Sequence, residues 1–388
     1  MTPPPDSRYL VLISVHGLIR GNNLELGRDA DTGGQTLYVV ELARALAARD
    51  DVDRVDLFTR LVDDPHVSPD YAQPVEEIGN GARIVRIEAG PAEYLPKEQL
   101  WDYLDTFADN MLGFLRDQET GPSLIHSHYA DAGYVGTRVS NQLGVPLVHT
   151  GHSLGRVKRR RLLASGVKQE VIDARYNMDR RIDAEEETLG AASLVVTSTT
   201  QEIQEQYGLY DHYQPNRMSV IPPGTDLTRF HPPDGAEQKA PIKKELARFL
   251  REPKKPIILA LSRPDERKNI ATLVDAFGES EELQNNANLV IVAGNRDDIR
   301  DLDSGAQQVL TDILILIDLH DLYGKVAYPK HHSADEVPIL YQIAAASRGV
   351  FINPALTEPF GLTLIEAAAS GLPIVATEDG GPIGIISH

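Results

Sequence analysis

Residues 350–376 read VFINPALTEPFGLTLIEAAASGLPIVA, and this segment is the most informative about the fold. A short apolar run at 350–353 leads through a loop into a predicted helix that begins near Gly361, and a second apolar run follows at 374–376. Two apolar strands joined by a helix form a β-α-β unit, in which the strands run parallel. The stretch therefore predicts a parallel sheet covered by helices.

The same alternation extends along the whole chain, as expected for a mostly parallel sheet. Helices are predicted at 35–48 and 97–115, where apolar residues recur at three-to-four spacing. Strands are predicted in the first half at 9–14, 55–59, 82–87, 124–128, 147–149, 194–197 and 218–221. In the second half they are predicted at 257–261, 289–293, 326–328, 350–353 and 374–376.

A segment rich in proline and charge, residues 222–256, separates the two series of strands. A chain of 388 residues also exceeds the usual size of one core. The predicted fold class is α/β, with two Rossmann-like doubly wound domains, residues 1–230 and 231–388, that face a central cleft. Ligands of such sheets bind beyond the carboxyl ends of the strands, so functional motifs are expected there.

Composition excludes several classes of function. The net charge of −19 disfavours nucleic acid and anionic membrane surfaces as partners. No run approaches the roughly 20 apolar residues that span a bilayer. The absence of cysteine excludes disulfides, thiolate catalysis and cysteine-ligated zinc, and it favours a reducing cytosol.

Lys158 to Arg161, with Arg180 and Arg181 downstream, form a basic cluster within this acidic chain. It is either a solvated helix face paired with the glutamates at 185–187 or a site for an anionic ligand.

Three motifs of the first half follow predicted strands. Residues 31–36, DTGGQT, open a helix whose first amides suit a phosphate or sugar hydroxyls, unless Asp31 or Thr32 caps it. Residues 126–133, HSHYADAG, offer hydrogen-bonding groups and lack a third metal ligand, so no metal site is expected. Residues 151–155, GHSLG, place His152 either against a reacting sugar or in an ordinary hydrogen bond.

The second half carries candidates for binding a nucleotide sugar. Arg263 and Lys268 follow the first strand and are suited to clamp a diphosphate as its charge develops. Glu358 and Glu366 flank a helix start whose free amides suit phosphate. Eight helical positions separate these glutamate backbones by about 12 Å, against roughly 5 Å between the carboxyls of a retaining glycosidase pair. Two binding roles are therefore favoured over hydrolysis.

Seven motifs, in their order along the chain, resemble those of sucrose-phosphate synthases. They are DADTGGQ, HSHYADAG, GHSLGRVK, RRIDAEE, VIPPGTD, LSRPDERKN and TEPFGLTLIEAAASGLPIVATEDGGP. These belong to the retaining glycosyltransferases of GT-B architecture, a group that also holds sucrose synthase. The resemblance covers nearly the whole chain. It implies transfer of glucose from UDP-glucose, or another NDP-glucose, to fructose 6-phosphate, with no cofactor and no metal.

The resemblance also implies an acceptor site for the sugar phosphate. Lys97, Lys158 and Arg180 match the cations that hold the 6-phosphate, which favours ligand binding for these three and solvation for the arginines at 159–161. The complete set of implied acceptor residues is Gly33, Gln35, Lys97, Tyr129, Asp131, Ser153, Lys158 and Arg180.

A donor site and a catalytic set are implied in the same way. Glu366 would bind the ribose and Glu358 the transferred glucose. The implied donor residues are Gly34, Arg263, Lys268, Asn295, Glu358, Phe360, Gly361, Leu362, Thr363 and Glu366. The implied catalytic residues are His152, Glu358, Arg263 and Lys268.

The chain departs from the family pattern after EDGGP at 378–382, where relatives usually continue and often carry an aspartate after the GGP-Ile run. The second domain is therefore expected to be truncated at its C-terminus and to expose a sheet edge. No phosphatase-like domain is present in the sequence, so a separate sucrose-phosphate phosphatase is an expected partner.

Two alternatives stay open, sucrose synthase acting on free fructose and a non-catalytic sugar-phosphate-binding protein. Neither the preferred nucleotide nor the oligomeric state follows from the sequence.

Overall fold

The computed structural model describes residues 8–25, 28–29, 31–358 and 361–386. The chain divides into two compact units, Met1–Pro222 and Pro223–His388. Each unit contains one β-sheet. Every predicted strand is present, with its ends shifted by at most a few residues, and the α/β prediction is confirmed.

The first unit carries an eight-stranded sheet. Its order is β3-β4-β2-β1-β5-β6-β7-β8, and all neighbours are parallel except the pair β3 and β4. The central strands are largely buried, as parallel strands covered on both faces must be, and β2 and β5 also bury polar side chains such as Asp56 and His128. The strands are β1 (Arg8–Ile13), β2 (Val52–Arg60), β3 (Val75–Gly79), β4 (Ala82–Ile87), β5 (Leu124–His128), β6 (Leu147–Thr150), β7 (Leu194–Thr197) and β8 (Met218–Val220).

Strand β3 was not expected from the sequence. It pairs antiparallel with β4 through the turn at Asn80 and Gly81, and Gly81 has a φ of +79°. The Asn-Gly pair is a hairpin signal that identifies this turn. Glu76 and Glu77 interrupt the apolar pattern by which a strand is identified in the sequence, and charges of this kind are common on edge strands.

Among the described residues of this unit, six α-helices connect the strands. They are α1 (Gly34–Ala47), α2 (Leu104–Arg116), α3 (Ala130–Leu143), α4 (Gly155–Ala164), α5 (Gln169–Tyr176) and α6 (Met178–Ala191). Short 3-10 turns lie at Pro69–Ala72, Lys97–Gln99, Trp101–Tyr103, Tyr207–Leu209 and Pro215–Arg217, and a π turn lies at Glu202–Gln206.

The helix predicted from residue 97 is wrong in its first turns, because α2 begins only at Leu104. Side chains from the α5 and α6 region occupy the carbonyls of the preceding segment. Asn177 donates to the carbonyl of Glu98 at 2.6 Å, and Arg180 donates to that of Trp101 at 2.7 Å. These tertiary hydrogen bonds replace the helical ones, which overrides local helix propensity.

The second unit carries a five-stranded parallel sheet of order β11-β10-β9-β12-β13. Its strands are β9 (Ile257–Ser262), β10 (Asn288–Ala293), β11 (Val326–Ala327), β12 (Val350–Asn353) and β13 (Ile374–Ala376). Its helices are α7 (Pro241–Ala247), α8 (Ile270–Glu279), α9 (Glu281–Asn286), α10 (Ser304–Leu319), α11 (Glu336–Ala346), α12 (Leu362–Ala369) and α13 (Pro382–Ile385). Strand β13 is an edge strand of this sheet, and its Val375 is exposed.

Both sheets have a topological switch point. In the first unit the chain leaves β1 towards β2 on one side and returns to β5 on the other, and in the second unit β9 lies between β10 and β12 in the same way. Loops diverge at such points, which opens a crevice for a ligand. Over the described ranges, no helix combines the length and apolar character needed to cross a membrane.

Candidate active site

In the first unit, side chains converge at the switch point between β1 and β5. His16, which follows β1, lies 2.7 Å from a carboxylate oxygen of Asp131, which follows β5 (Nδ1–Oδ2). Both side chains are buried, and the Tyr129 ring packs edge-on against His16 at 4.6 Å. The parallel register of β1 and β5 brings these two loops side by side. The motif HSHYADAG therefore lies at the edge where a ligand is expected.

A concave site lies next to this cluster. Four residues that the family resemblance assigns to the acceptor line it together, namely Lys97, Tyr129, Asp131 and Lys158. Sequence reasoning missed the other four lining residues, which are Glu98, Trp101, Tyr176 and Arg181.

The three cations of this pocket are held in different ways. Lys97 forms an ion pair with the buried carboxylate of Asp31. The ammonium of Lys158 lies 3.8 Å from the centroid of the Tyr176 ring, within the range of a cation–π contact. Arg181 lies with its guanidinium 4.6 Å from the Tyr129 ring centroid and donates to the carbonyl of Ser153 at 2.7 Å. The pocket thus gathers three cations, and its lining also carries the carboxylates of Glu98 and Asp131.

Arg180 and Arg181 are neighbours in sequence but lie in different surroundings. The Arg180 side chain is 48% exposed and pairs with Asp102 at 2.6 Å, outside the lining of the pocket. Arg181 is buried and pairs with Glu185 at 2.9 Å. A basic doublet on a helix offers no sequence signal for which member faces inward, so only the helix orientation identified Arg181.

The start of α1 places the glycines of the first motif. Gly33 is the N-cap residue and has no side-chain cap bond, so the alternative in which Asp31 or Thr32 caps the helix is wrong. Thr32 instead accepts from the backbone of Leu18. A β-carbon built on Gly33 would meet nothing within 4 Å, and its φ of −138° suits any residue, so packing does not require glycine here. Gln35 donates to Ser14 and, at 3.4 Å, to the carbonyl of His128.

His152 belongs to a group of histidines at the ends of β5 and β6. Its Nε2 lies 3.0 Å from Nδ1 of His128, and the Tyr38 ring packs edge-on against both imidazoles. Burial lowers the pKa of His152 to about 3, so this imidazole is neutral at physiological pH. Ser153, the next residue, is exposed and accepts a hydrogen bond from Arg181 through its carbonyl.

Tyr129 has a backbone conformation that L-residues rarely adopt, with φ of +80° and ψ of 170°. This region is populated almost entirely by glycine and costs other residues about 1–3 kcal/mol. The strain is held because Tyr129 donates its amide to the carbonyl of Thr150 at 2.9 Å while its ring is buried. Strain of this kind is common at functional sites.

We therefore expect Tyr129→Gly to be more stable than Tyr129→Ala. Both variants lose the ring, but only glycine relieves the backbone strain of about 1–3 kcal/mol, and this gain exceeds the roughly 0.4–1 kcal/mol that glycine loses in backbone entropy. This reverses the usual order, in which alanine is the more stable. Urea unfolding of both variants measures the difference, and a more stable alanine variant would contradict the strain.

In the second unit, Lys268 and Glu358 meet at the switch point between β9 and β12. The Lys268 ammonium donates to the Glu358 carboxylate (Nζ–Oε2 2.6 Å), and Asn353, the last residue of β12, donates to the same oxygen at 2.9 Å. The loops that carry these residues are joined by a backbone hydrogen bond from Leu356 to Arg267. Although burial alone would raise the pKa of Glu358, the Lys268 cation lowers it, so the buried carboxyl is ionised.

The EDGGP segment holds the backbone of Glu358 through hydrogen bonds. The backbone of Glu358 accepts from Gly381 at 2.7 Å and donates to Asp379 at 3.2 Å. Gly380 has a φ of +89°, and a β-carbon there would lie 2.3 Å from the Glu358 carbonyl oxygen. Only glycine fits this close approach, which explains Gly380 as a requirement for the contact with the Glu358 backbone.

Glu366 has a different environment from Glu358. It lies on α12 and accepts a hydrogen bond from the Tyr341 hydroxyl at 3.0 Å. Burial raises its pKa to about 7. The two glutamates of this motif are therefore in different protonation states near pH 6, Glu358 ionised and Glu366 mostly neutral.

The Glu366 pKa predicts a pH dependence of stability. Between its usual value near 4.5 and about 7, the folded protein holds a proton here that the unfolded chain has released. The free energy of unfolding is then expected to fall as the pH rises through this window. Glu366→Gln should remove this contribution, as urea titrations at pH 4.5 and 7.5 would show. An unchanged difference between the two pH values would contradict the raised pKa.

Some of the other donor candidates lie close to Glu358 in the structure, and others lie in neighbouring loops. Gly361 has a φ of +80° at the N-cap of α12, whose first residue is Leu362, and Thr363 accepts from Asn353 at 3.4 Å. Arg263 is exposed at the end of β9. Asn295 exchanges hydrogen bonds with the backbone of His332 and so pins a neighbouring loop. Phe360 lies outside the described residues.

A metal centre was not expected, and within 8–25, 28–29, 31–358 and 361–386 no group of three or more potential ligand side chains is placed to hold a metal ion.

Two domain models match the chain. Residues 32–229, about half of it, match the model described as Glycosyltransferase Family 4. Residues 242–388 match the model described as Glycosyl transferases group 1.

Individual proteins are similar over almost the whole length. Sucrose-phosphate synthase 4 of Arabidopsis thaliana is 49% identical, over 97% of this chain and 42% of the relative. The sucrose-phosphate synthase of Zea mays is 50% identical, over 97% of this chain and 41% of the relative. This chain thus spans about two fifths of the length of these curated relatives. The solved structure of a sucrose-phosphate synthase from Thermosynechococcus elongatus superposes with a TM-score of 0.73 at 29% identity, covering 98% of this chain and 84% of that one.

Proposed function

The chain belongs to the GT-B glycosyltransferases that include the sucrose-phosphate synthases, and from this premise we propose that it transfers glucose from UDP-glucose to fructose 6-phosphate. The products are sucrose 6-phosphate and UDP. The observation that carries the proposal is the pocket of the first unit, where the cations Lys97, Lys158 and Arg181 converge. The first unit is then the acceptor domain and the second the donor domain.

A phosphorylated acceptor suits this pocket better than free fructose. Three cations around a neutral hydroxyl would contribute little, whereas a phosphate forms charge-assisted hydrogen bonds with them. Lys97 already balances the charge of Asp31, so the phosphate would share this ammonium with the carboxylate. Tyr129, whose ring lies against Arg181, and Asp131 are suited to the sugar hydroxyls.

In the donor unit, the chemistry rests on positioning and electrostatics. Arg263, Lys268 and the first amides of α12 stabilise the negative charge that develops on the departing UDP. Glu358 accepts hydroxyl hydrogen bonds from the transferred glucose, and Glu366 accepts from the ribose. The 2-hydroxyl of the fructose unit attacks the anomeric carbon on the face from which UDP leaves and gives its proton to the departing diphosphate oxygen. The bond to UDP breaks as the new glycosidic bond forms, so the configuration is retained. We propose that no metal and no cofactor takes part, because cations of the chain serve the diphosphate.

We also propose the compartment in which the chain acts, the reaction that follows and the classes of partner that it does not bind. The absence of cysteine suits a reducing cytosol. The product keeps its phosphate, so a separate sucrose-phosphate phosphatase is the partner reaction. The acidic chain is not expected to bind nucleic acid or membranes.

The test is a transfer assay of the purified chain with UDP-glucose and either fructose 6-phosphate or fructose. UDP release and the mass of the sugar product are followed without added metal. We expect product with the phosphorylated acceptor only. Product with free fructose would identify a sucrose synthase, and binding of UDP without product from either acceptor would identify a non-catalytic binding protein.

Lys158→Met tests the acceptor pocket within this assay. Loss of a charged hydrogen bond to phosphate should raise KM for fructose 6-phosphate about 10- to 100-fold. Arg160→Met is the matched control, because Arg160 lies on the same helix, carries the same charge and is exposed. An equal rise of KM in both variants would show that only the overall positive charge of the helix matters, and it would contradict a phosphate contact at Lys158.

A further inference from the structure

His128 carries a buried ring nitrogen that the proposed transfer does not use. The side chain is fully buried, and in the described part of the chain its Nε2 has no hydrogen-bond partner. Its other ring nitrogen, Nδ1, lies 3.0 Å from Nε2 of His152. Buried polar atoms without partners are uncommon in folded proteins, and each one calls for an explanation.

The protonation of the pair is limited by its surroundings. Burial and the neighbouring imidazoles of His126 and His149 lower the pKa of His128 well below the usual range and that of His152 to about 3. Both rings are therefore neutral at pH 7. In a neutral pair, one nitrogen of the 3.0 Å contact donates and the other accepts, which leaves two tautomeric arrangements.

The two arrangements differ in what they leave unsatisfied. If His152 donates, His128 must carry its proton on Nε2, which creates a buried N–H without an acceptor. If His128 donates from Nδ1, its N–H is satisfied, and the only unsatisfied group is the buried lone pair on Nε2, which accepts no hydrogen bond. Orphaned buried N–H groups are the rarer of the two defects, so the second arrangement is favoured.

The consequence falls on His152, because a neutral imidazole that accepts at Nε2 carries its proton on Nδ1. His152 is partly exposed while His128 is buried, so His152 is the member of the pair that can meet a ligand. Its backbone φ of +56° and the edge-on Tyr38 ring at 5.2 Å hold its orientation.

We propose that His128 is a positioning residue that holds neutral His152 in the Nδ1–H tautomer, so that His152 meets the reacting sugar as a hydrogen-bond donor. This inference rests on the proposed function for the identity of the sugar. His152 then donates to a hydroxyl oxygen of the substrate and does not accept its proton. The residue contributes a fixed dipole at the reaction centre, in keeping with a mechanism of positioning and electrostatics.

Nitrogen NMR of the full chain labelled with ¹⁵N-histidine tests the tautomer directly. The His152 signals are identified by their absence in His152→Asn. We expect protonated Nδ1 and unprotonated Nε2 at pH 7. A wild-type spectrum with the proton on Nε2 would overturn the proposal without any variant being needed.

A nearly isosteric pair of variants tests the role of His128. The amide of His128→Asn donates at the position of Nδ1 and should keep the His152 tautomer, whereas the carboxylate of His128→Asp only accepts and should move the proton to Nε2. We expect kcat/KM for transfer about 10- to 100-fold lower in the aspartate variant than in the asparagine variant. A proton that stays on Nδ1 in a folded aspartate variant would overturn the proposal.

The two proposals fail in different ways. The NMR readout needs no turnover, so a chain with the expected tautomer but no product from either acceptor would overturn the proposed function and support the tautomer assignment. Turnover with a proton on Nε2 of His152 would do the reverse.

Discussion

Glu358→Gln should lower kcat/KM for glucosyl transfer by about 10²- to 10³-fold, which is the effect of removing one electrostatic contact to a transition state. The substitution keeps the size of the side chain but removes the charge that pairs with Lys268 at 2.6 Å. The Lys268 ammonium is then no longer held in place beside the departing diphosphate. UDP release with fructose 6-phosphate measures the loss.

The control for this variant is a binding measurement. Glu358→Gln should still bind UDP, because Arg263, the first amides of α12 and Glu366 are proposed to contact the nucleotide without Glu358, and Lys268 keeps its charge although it loses its partner. Wild-type transfer by the folded variant would contradict the assignment of Glu358 to the reacting sugar. Loss of UDP binding together with transfer would instead show that Glu358 acts by holding the whole donor loop.

Arg181→Met should lower the free energy of unfolding by about 3–5 kcal/mol, because it leaves the Glu185 carboxylate buried without its cation. Arg181 and Glu185 are both buried and lie 2.9 Å apart. Glu185 also accepts from the backbone of Gly155 and from the Tyr210 hydroxyl, so it cannot turn towards water without breaking these bonds. Urea unfolding measures the change.

The adjacent Arg180→Met is a matched control. The Arg180 side chain is 48% exposed and its partner Asp102 is 80% exposed, so the loss should be about 1–2 kcal/mol, from a surface ion pair and one hydrogen bond to the Trp101 carbonyl. The double variant Arg181→Met with Glu185→Leu should recover part of the stability, because both buried charges are then removed. Equal effects of the two single arginine variants would contradict the difference in burial.

The sequence predicted the strands and the family well because both depend on local patterns. Buried parallel strands are short apolar runs, and each motif follows such a run, so the polar residues at strand ends were found directly. The sequence was less successful where long-range contacts decide the local structure. Strand β3 has the composition of a loop, and the segment at 97–103 has the spacing of a helix whose carbonyls Asn177 and Arg180 occupy.

In the candidate site, the sequence by itself determined which residue types are available, the cations, the glutamates and the histidines, because these follow from motif order. Only the tertiary structure decided their partners. It placed Arg181 rather than Arg180 in the lining of the proposed acceptor pocket, paired Lys97 with Asp31, and joined His128 to His152. The physical reason is that helix orientation and strand register set which side chains are buried together, and burial then determines charge state and hydrogen bonding.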